Sequence, residues 1–133
     1  MIQIPQAIHD DLIAHAREGF PLEVCGILGG TGDTVSAIYR MTNTDASNEH
    51  FMMDPKEQFK VIKDLRAAGI AMLAIYHSHP ETPARPSEED IRLALTPDVS
   101  YVIISLANAA APDIKSYKIS SENVSIEAIE IIV

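Results

Sequence analysis

The chain is expected to fold as an α/β (α+β) domain, a mixed sheet of about seven strands flanked by about three helices. Three observations carry that expectation. Apolar residues recur at helical spacing in two segments that open on Pro5 and on Asp54-Pro55. Short, nearly continuous apolar runs, such as Ile70 to Tyr76 and Tyr101 to Leu106, have the length and composition of buried strands. Helices alternate with strands in the first half, whereas strands follow one another in the second. The length of 133 residues suits one domain, taken as 1–133.

Residues Pro5 to Glu18 read as the first helix. Pro5 suits its opening turn, Ile8, Leu12 and Ala16 recur every four residues on one face, and Gly19 with Phe20-Pro21 stops it. Val24 to Leu28 is a short apolar run ending in Gly29-Gly30 and reads as a buried strand. Thr31-Gly32-Asp33 supplies turn chemistry, which makes Thr34 to Tyr39 the hairpin partner. Thr42 to Glu49 is polar and Asn-rich, hence a loop. Asp54 is the expected N-cap of the second helix, with Pro55 at the first helical position and Glu57 at capping-box spacing; Phe59, Ile62, Leu65 and Arg66 carry it to Gly69. Ile70 to Tyr76 reads as a central strand covered on both faces, broken by His77-Ser78-His79-Pro80. A Pro-rich loop spans Glu81 to Pro86 and a short third helix spans Ser87 to Leu95. Tyr101 to Leu106, Ile114 to Ile119 and Val124 to Val133 then close the sheet.

Composition narrows the function classes. Lys plus Arg number 10 against 19 for Asp plus Glu, a formal net charge of −9. That opposes binding to a phosphate backbone, and the 5% aromatic content without Trp opposes base-stacking platforms, so no nucleic-acid partner is expected. No run reaches the roughly 18 apolar residues of a membrane span, and Met1-Ile-Gln-Ile-Pro5 has no signal-peptide character. A single cysteine, Cys25, rules out an internal disulfide and suits a reducing cytoplasm.

The chemistry concentrates in one segment. His77 and His79 stand at i and i+2 after an apolar strand, where extended backbone points both side chains to one face. Two imidazoles so placed can converge on one ion, and Asp90 lies within reach beyond a short loop. Two His and one Asp leave a fourth tetrahedral position open, the mark of a catalytic rather than a structural zinc site. Ser87 and Asp90 also have capping-box spacing, and one Asp90 carboxylate is not expected to serve both a cap and a metal. Glu23 heads an apolar strand, where a carboxylate is costly unless paired or functional.

Together Glu23, His77-Ser78-His79, Ser87 and Asp90 resemble the motif of the JAMM metallopeptidase family, also called the MPN or JAB domain: a remote Glu, His-Ser/Thr-His, seven residues, Ser, two residues, Asp. The spacing fits without a gap, and the resemblance covers nearly the whole chain. It implies an MPN-like curved sheet and a Zn2+ cofactor held by His77, His79 and Asp90. It implies Glu23 as the general acid/base that takes a proton from zinc-activated water and returns it to the leaving amine, and Ser87 as a donor to the tetrahedral oxyanion. The implied reaction is hydrolysis of a peptide or isopeptide bond after the C-terminal tail of a small β-grasp, ubiquitin-like or sulfur-carrier protein. The 43 residues after Asp90 leave little space for the substrate-gripping insertions of larger members, so the compact prokaryotic type is the closer likeness. Homodimers are common among such relatives. Two other readings stand beside this one: a non-catalytic MPN scaffold, and a DNA-repair-associated relative, for whose upstream DNA-binding module this acidic chain has no room.

Other residues invite a role. Cys25, two positions from Glu23, would share its side in extended chain, where a thiol could ligate, inhibit or sense oxidation; otherwise it is a small buried apolar residue. His50 is either a loop histidine without a role or one beside a substrate channel, and His9 and His15 read as solvent-facing. Ser78, between the histidines, would face away from a metal. Arg85 either meets a substrate carboxylate or is a solvated surface charge.

Overall fold

The computed structural model describes residues 1–133. In chain order the elements are β1 (Ile2–Pro5), α1 (Gln6–Gly19), β2 (Cys25–Thr31), β3 (Thr34–Met41), α2 (Pro55–Ala68), β4 (Ala71–His79), α3 (Glu88–Arg92), β5 (Ser100–Ser105), β6 (Asp113–Ser120), β7 (Asn123–Glu127) and β8 (Ile129–Ile132). The strands form one sheet in the order β7-β6-β5-β4-β2-β3-β1-β8. It is mixed: β4 runs parallel to β5, and β1 parallel to β3 and β8, while the remaining pairs are antiparallel. Only Ala128 separates β7 from β8, yet the two lie at opposite ends of the strand order. Residues 123–132 thus bridge both edges, and the sheet curls back on itself.

Period-2 alternation along β4 divides the core. Ala74 and Tyr76 join Leu12 and Ala16 of α1, together with Leu28, Val102 and Ile104, in one cluster. On the other face Ile75 packs against a cluster that holds Cys25, Met41, Met53, Val61 and Leu65, the last two from α2. His77 and His79 follow Ile75 onto this second face, while Ser78 points to the first.

The local signals for α2 and the hairpin act as expected. The Asp54 side chain accepts a hydrogen bond from Lys56 N–H at 2.9 Å, Pro55 is the first helical residue, and Gly69 ends the helix in the left-handed conformation, φ +69°. Glu57, however, does not complete a capping box. Its carboxylate accepts from the backbone N–H and hydroxyl of Thr42, both at 2.8 Å, and ties α2 to the end of β3.

Several boundaries differ from expectation for physical reasons. There are eight strands, not seven. Ile2–Pro5 is a strand whose buried Ile2 and Ile4 alternate with Gln3 and Pro5; Pro5 therefore ends β1 and caps α1 rather than lying in its first turn. β4 is not broken at His77 but runs through His79, because β5 pairs alongside it as far as Ser105. The third helix covers only Glu88–Arg92, and the last strand splits at Ala128 as it changes partners from β6 to β1. His15 is not solvent-facing. It is half-buried, with Nδ1 2.7 Å from the hydroxyl of the fully buried Tyr76, and burial lowers its pKa.

Gly26 makes this packing possible. It sits opposite Tyr76 in the β2–β4 ladder, and a Cβ there would fall deep inside contact distance of the Tyr76 ring and close on the Tyr39 carbonyl. Gly26→Ala is expected to destabilise the fold by about 2–3 kcal/mol through this overpacking, measured by urea denaturation; a loss below about 0.5 kcal/mol would show that the ring can move aside.

Candidate metal centre

Two elements assemble the site. β4 supplies His77 and His79, both buried, and α3 supplies Asp90. His77 Nε2 lies 3.1 Å from His79 Nε2 and 3.2 Å from Asp90 Oδ2, and His79 Nε2 lies 3.1 Å from the same oxygen. The three form a group whose donor atoms all lie within 4.8 Å, able to hold a metal ion. Donors sharing one tetrahedral zinc at about 2.0–2.1 Å stand about 3.3 Å apart, close to these edges.

Proton accounting shows why a cation fits. His79 Nδ1 lies 2.9 Å from the Pro83 carbonyl, a pure acceptor, so Nδ1 carries the proton and donates. In the neutral ring Nε2 then turns a lone pair toward Asp90 and His77, the tautomer a metal ligand needs. Burial drives His77 toward its neutral form. It acts the same way on His79, where the Asp90 carboxylate and the Pro83 carbonyl outweigh it and raise the pKa. Burial also opposes ionisation of Asp90, but the two imidazoles and the Ser87 N–H outweigh it and hold that carboxyl far below the usual range. His77 Nδ1 has no partner, so its ring can carry the proton on Nε2 and donate to Asp90, or carry it on Nδ1 and turn a third lone pair inward for a metal ion.

The cap and the histidines meet on one oxygen of Asp90, which the sequence expectation sets apart as rival uses. Oδ2 accepts from the Ser87 N–H at 2.9 Å while Ser87 Oγ accepts from the Asp90 N–H at 3.0 Å, a complete capping box, and the same Oδ2 faces both histidines. The Ser87 residue itself is exposed, and its hydroxyl proton is not used by the cap.

Glu23 lies just before β2, buried at 4% exposure, with Oε1 lacking any partner. Its pKa is pushed up to about 8, mainly by burial, with His79 pulling it down and Asp90, Glu89 and Glu49 pushing it up. Its place is fixed by the backbone: its N–H donates to the Ser47 carbonyl at 2.8 Å, and its carbonyl accepts from Asn43 Nδ2 at 3.1 Å. Ser78 does point away from the triad, and its Oγ accepts from the Val24 N–H at 2.8 Å. Asn43 escaped the sequence reading. It also donates to the His50 carbonyl and accepts from the Asp45 and Met52 N–H groups, so it organises the whole polar loop beside Glu23. Its only signal is an Asn two residues past the end of β3, at the start of an Asn-rich loop.

Phe51 stacks on His77, ring centroids 4.7 Å apart. It opens an apolar cleft of about 240 Å³ with Met53, Leu93, Tyr101 and Ile103, reaching His77 and Asp90. His50 Nδ1 lies 3.8 Å from Oε1 of Glu89, which lines the same cleft. Cys25 is cross-strand from His77 but outside the ligand group; it is fully buried, its Sγ lies 3.7 Å from the Thr42 carbonyl, and burial raises its pKa to about 12. That is a small core residue with an unreactive thiol.

The geometry and the motif spacing define a JAB-type, or JAMM, domain. Residues 5–120 match the family described as prokaryotic homologs of the JAB domain, and the chain belongs to that family. It is 35% identical over 123 residues to the CysO-cysteine peptidase of Mycobacterium tuberculosis, covering 91% of this chain and 84% of that protein. It is 37% identical over 103 residues to a desampylase of Haloferax volcanii, covering 72% and 74% of the two chains. A solution structure from Desulfitobacterium hafniense superposes with a TM-score of 0.91 at 47% identity, over 99% of this chain and 93% of that one. The fold is the expected curved MPN sheet, and the chain is a hydrolase of JAMM type. No helix is long and apolar enough to cross a membrane.

Proposed function

We propose that residues 1–133 form a single JAMM domain acting as a zinc-dependent peptidase or isopeptidase, cleaving the bond after the C-terminal tail of a small ubiquitin-like or sulfur-carrier protein. One observation carries the reading: the donor atoms of His77, His79 and Asp90 converge within 4.8 Å on the strand-and-helix framework of this family. The peptidase and desampylase relatives support the carrier-protein substrate. The single buried thiol suits a cytoplasmic setting.

In this reading His77, His79 and Asp90 hold the ion. When bound, zinc supplies Lewis-acid activation of a water and of the scissile carbonyl. Glu23 Oε1, buried and unpartnered, takes the proton of the attacking water and gives it to the leaving amine. Ser87 keeps its Oγ lone pair on the cap and donates its free proton to the developing oxyanion. The apolar cleft beside His77 excludes water from one side of the reacting bond.

The test is metal content by plasma mass spectrometry on purified protein. About one zinc per chain is expected, lost in His77→Ala. No bound metal, even after zinc is offered and the excess removed, would overturn the peptidase reading in favour of an assembly module. The acidic charge weighs against the DNA-repair reading, and salt-dependent retention on DNA would revive it.

A further inference from the structure

The surroundings of the triad are electrically lopsided. On the His77 side, the apolar cleft is lined by Glu89 and Asp90 and by no Lys or Arg. On the His79 side lies an open depression formed by His79, Thr82, Pro83, Arg85, Pro86 and Ser87, which holds no carboxylate. Arg85 is the one cation on either side, exposed, in a chain whose net charge is −9. Arg40 pairs with Asp11 and Glu18, and Arg92 with Glu89, but Arg85 has no ion pair and no side-chain hydrogen bond.

The loop that carries Arg85 is pinned at successive residues. Ser105 Oγ donates to the Thr82 carbonyl at 2.6 Å, and the Pro83 carbonyl accepts from His79 Nδ1 at 2.9 Å and from the Arg85 N–H at 2.8 Å. The Ala84 carbonyl accepts from the buried Tyr117 hydroxyl at 2.5 Å. A fixed backbone thus presents an unpaired guanidinium two residues from Ser87, along the same depression as the ligand His79. A guanidinium so held is shaped for a planar, bidentate carboxylate.

We propose that Arg85 is a specificity-determining residue that binds the free α-carboxylate of the leaving group. The preferred substrate would then be a carrier tail bearing one terminal amino acid, rather than a tail linked to the side chain of a protein lysine, where no carboxylate lies next to the scissile bond. This rests on the peptidase reading above and refines its substrate class. Glu89 on the other side is already paired with Arg92, so the unpaired Arg85 is the charge that draws the leaving group's carboxylate to the His79 side.

The experiment uses the zinc-loaded protein and one tail peptide ending in Gly-Gly plus a single amino acid, prepared as the free acid and as the carboxamide. The wild type is expected to favour the acid about tenfold in kcat/KM, with Arg85→Gln bringing the ratio close to one and Arg85→Lys, a charge without the fork, falling between. The same two peptides titrated onto Glu23→Gln protein should show a matching ratio in Kd. Equal use of acid and amide by the wild type, or a preference that survives Arg85→Gln, would overturn the assignment. Failure of the wild type to cleave either peptide sinks the peptidase reading instead, and the ratio of affinities still decides on Arg85.

Discussion

Glu23→Gln is expected to lower turnover about 10³-fold, within the range of a lost general acid/base, while zinc content stays at the wild-type level and the metal-free protein becomes more stable. The three effects share one cause. Glu23 is buried and its Oε1 unpartnered, so folding strips water from a carboxylate and gives little back. Its pKa accordingly rises from 4.5 to about 8, chiefly through burial. The folded chain holds the proton more tightly than the unfolded chain, so the stability present below about pH 4.5 is lost as the pH climbs to about 8. Glutamine keeps the shape and never ionises, so near pH 7 the metal-free variant should gain about 1–3 kcal/mol over wild type. Thermal melts of metal-free protein between pH 5 and 8 would read this as a widening gap between variant and wild type. Parallel melting curves across that range, or turnover within tenfold of wild type, would remove Glu23 from the proposed role.

Ser87 separates two functions that share one hydroxyl. Its Oγ accepts from the Asp90 N–H, and its own proton is the group proposed to meet the oxyanion. Ser87→Ala removes both, and should cost about 1 kcal/mol of stability through the cap together with about 10²-fold in kcat. Ser87→Gly is tolerated at an N-cap to within a few tenths of a kcal/mol, yet has no proton to give. It should therefore restore most of the stability and none of the turnover. Recovery of kcat in step with stability would mean that Ser87 acts only as a cap.

What could be seen in the sequence was whatever depended on near neighbours. Asp54-Pro55 and Gly69 bounded α2 because caps are set within a turn, and the apolar run of β4 announced a strand covered on both faces. The histidine pair was legible because period-2 geometry sends residues 77 and 79 to one face, and the structure brings Asp90 to meet them. What long-range pairing decides stayed hidden. The alternation of Ile2 and Ile4 spans only four residues and ends on Pro5, whose residue type equally signals the start of a helix. His15 stands seven residues after Ile8 and three after Leu12, so helical periodicity already sets it beside the buried face of α1; only its partner Tyr76, 61 positions away, is hidden from the sequence. The placing of Asp90 Oδ2 on both the cap and the histidine pair has no sequence signal, because the i, i+3 spacing of Ser87 and Asp90 shows the cap alone, although a carboxylate oxygen has lone pairs for more than one partner.

The curling of the sheet has a kinetic consequence. β1 lies against residues 129–132, and β6 against 123–127, so both margins of the sheet wait for the same late stretch. The parallel β1–β8 ladder joins segments separated by almost the full chain, and the N-terminal amine meets Glu127 at 3.4 Å. Closing so long a span is slow relative to forming the β2–β3 hairpin. A nascent chain released from the ribosome short of residue 129 would leave β1 paired on one side only, with a bare edge open to neighbouring chains.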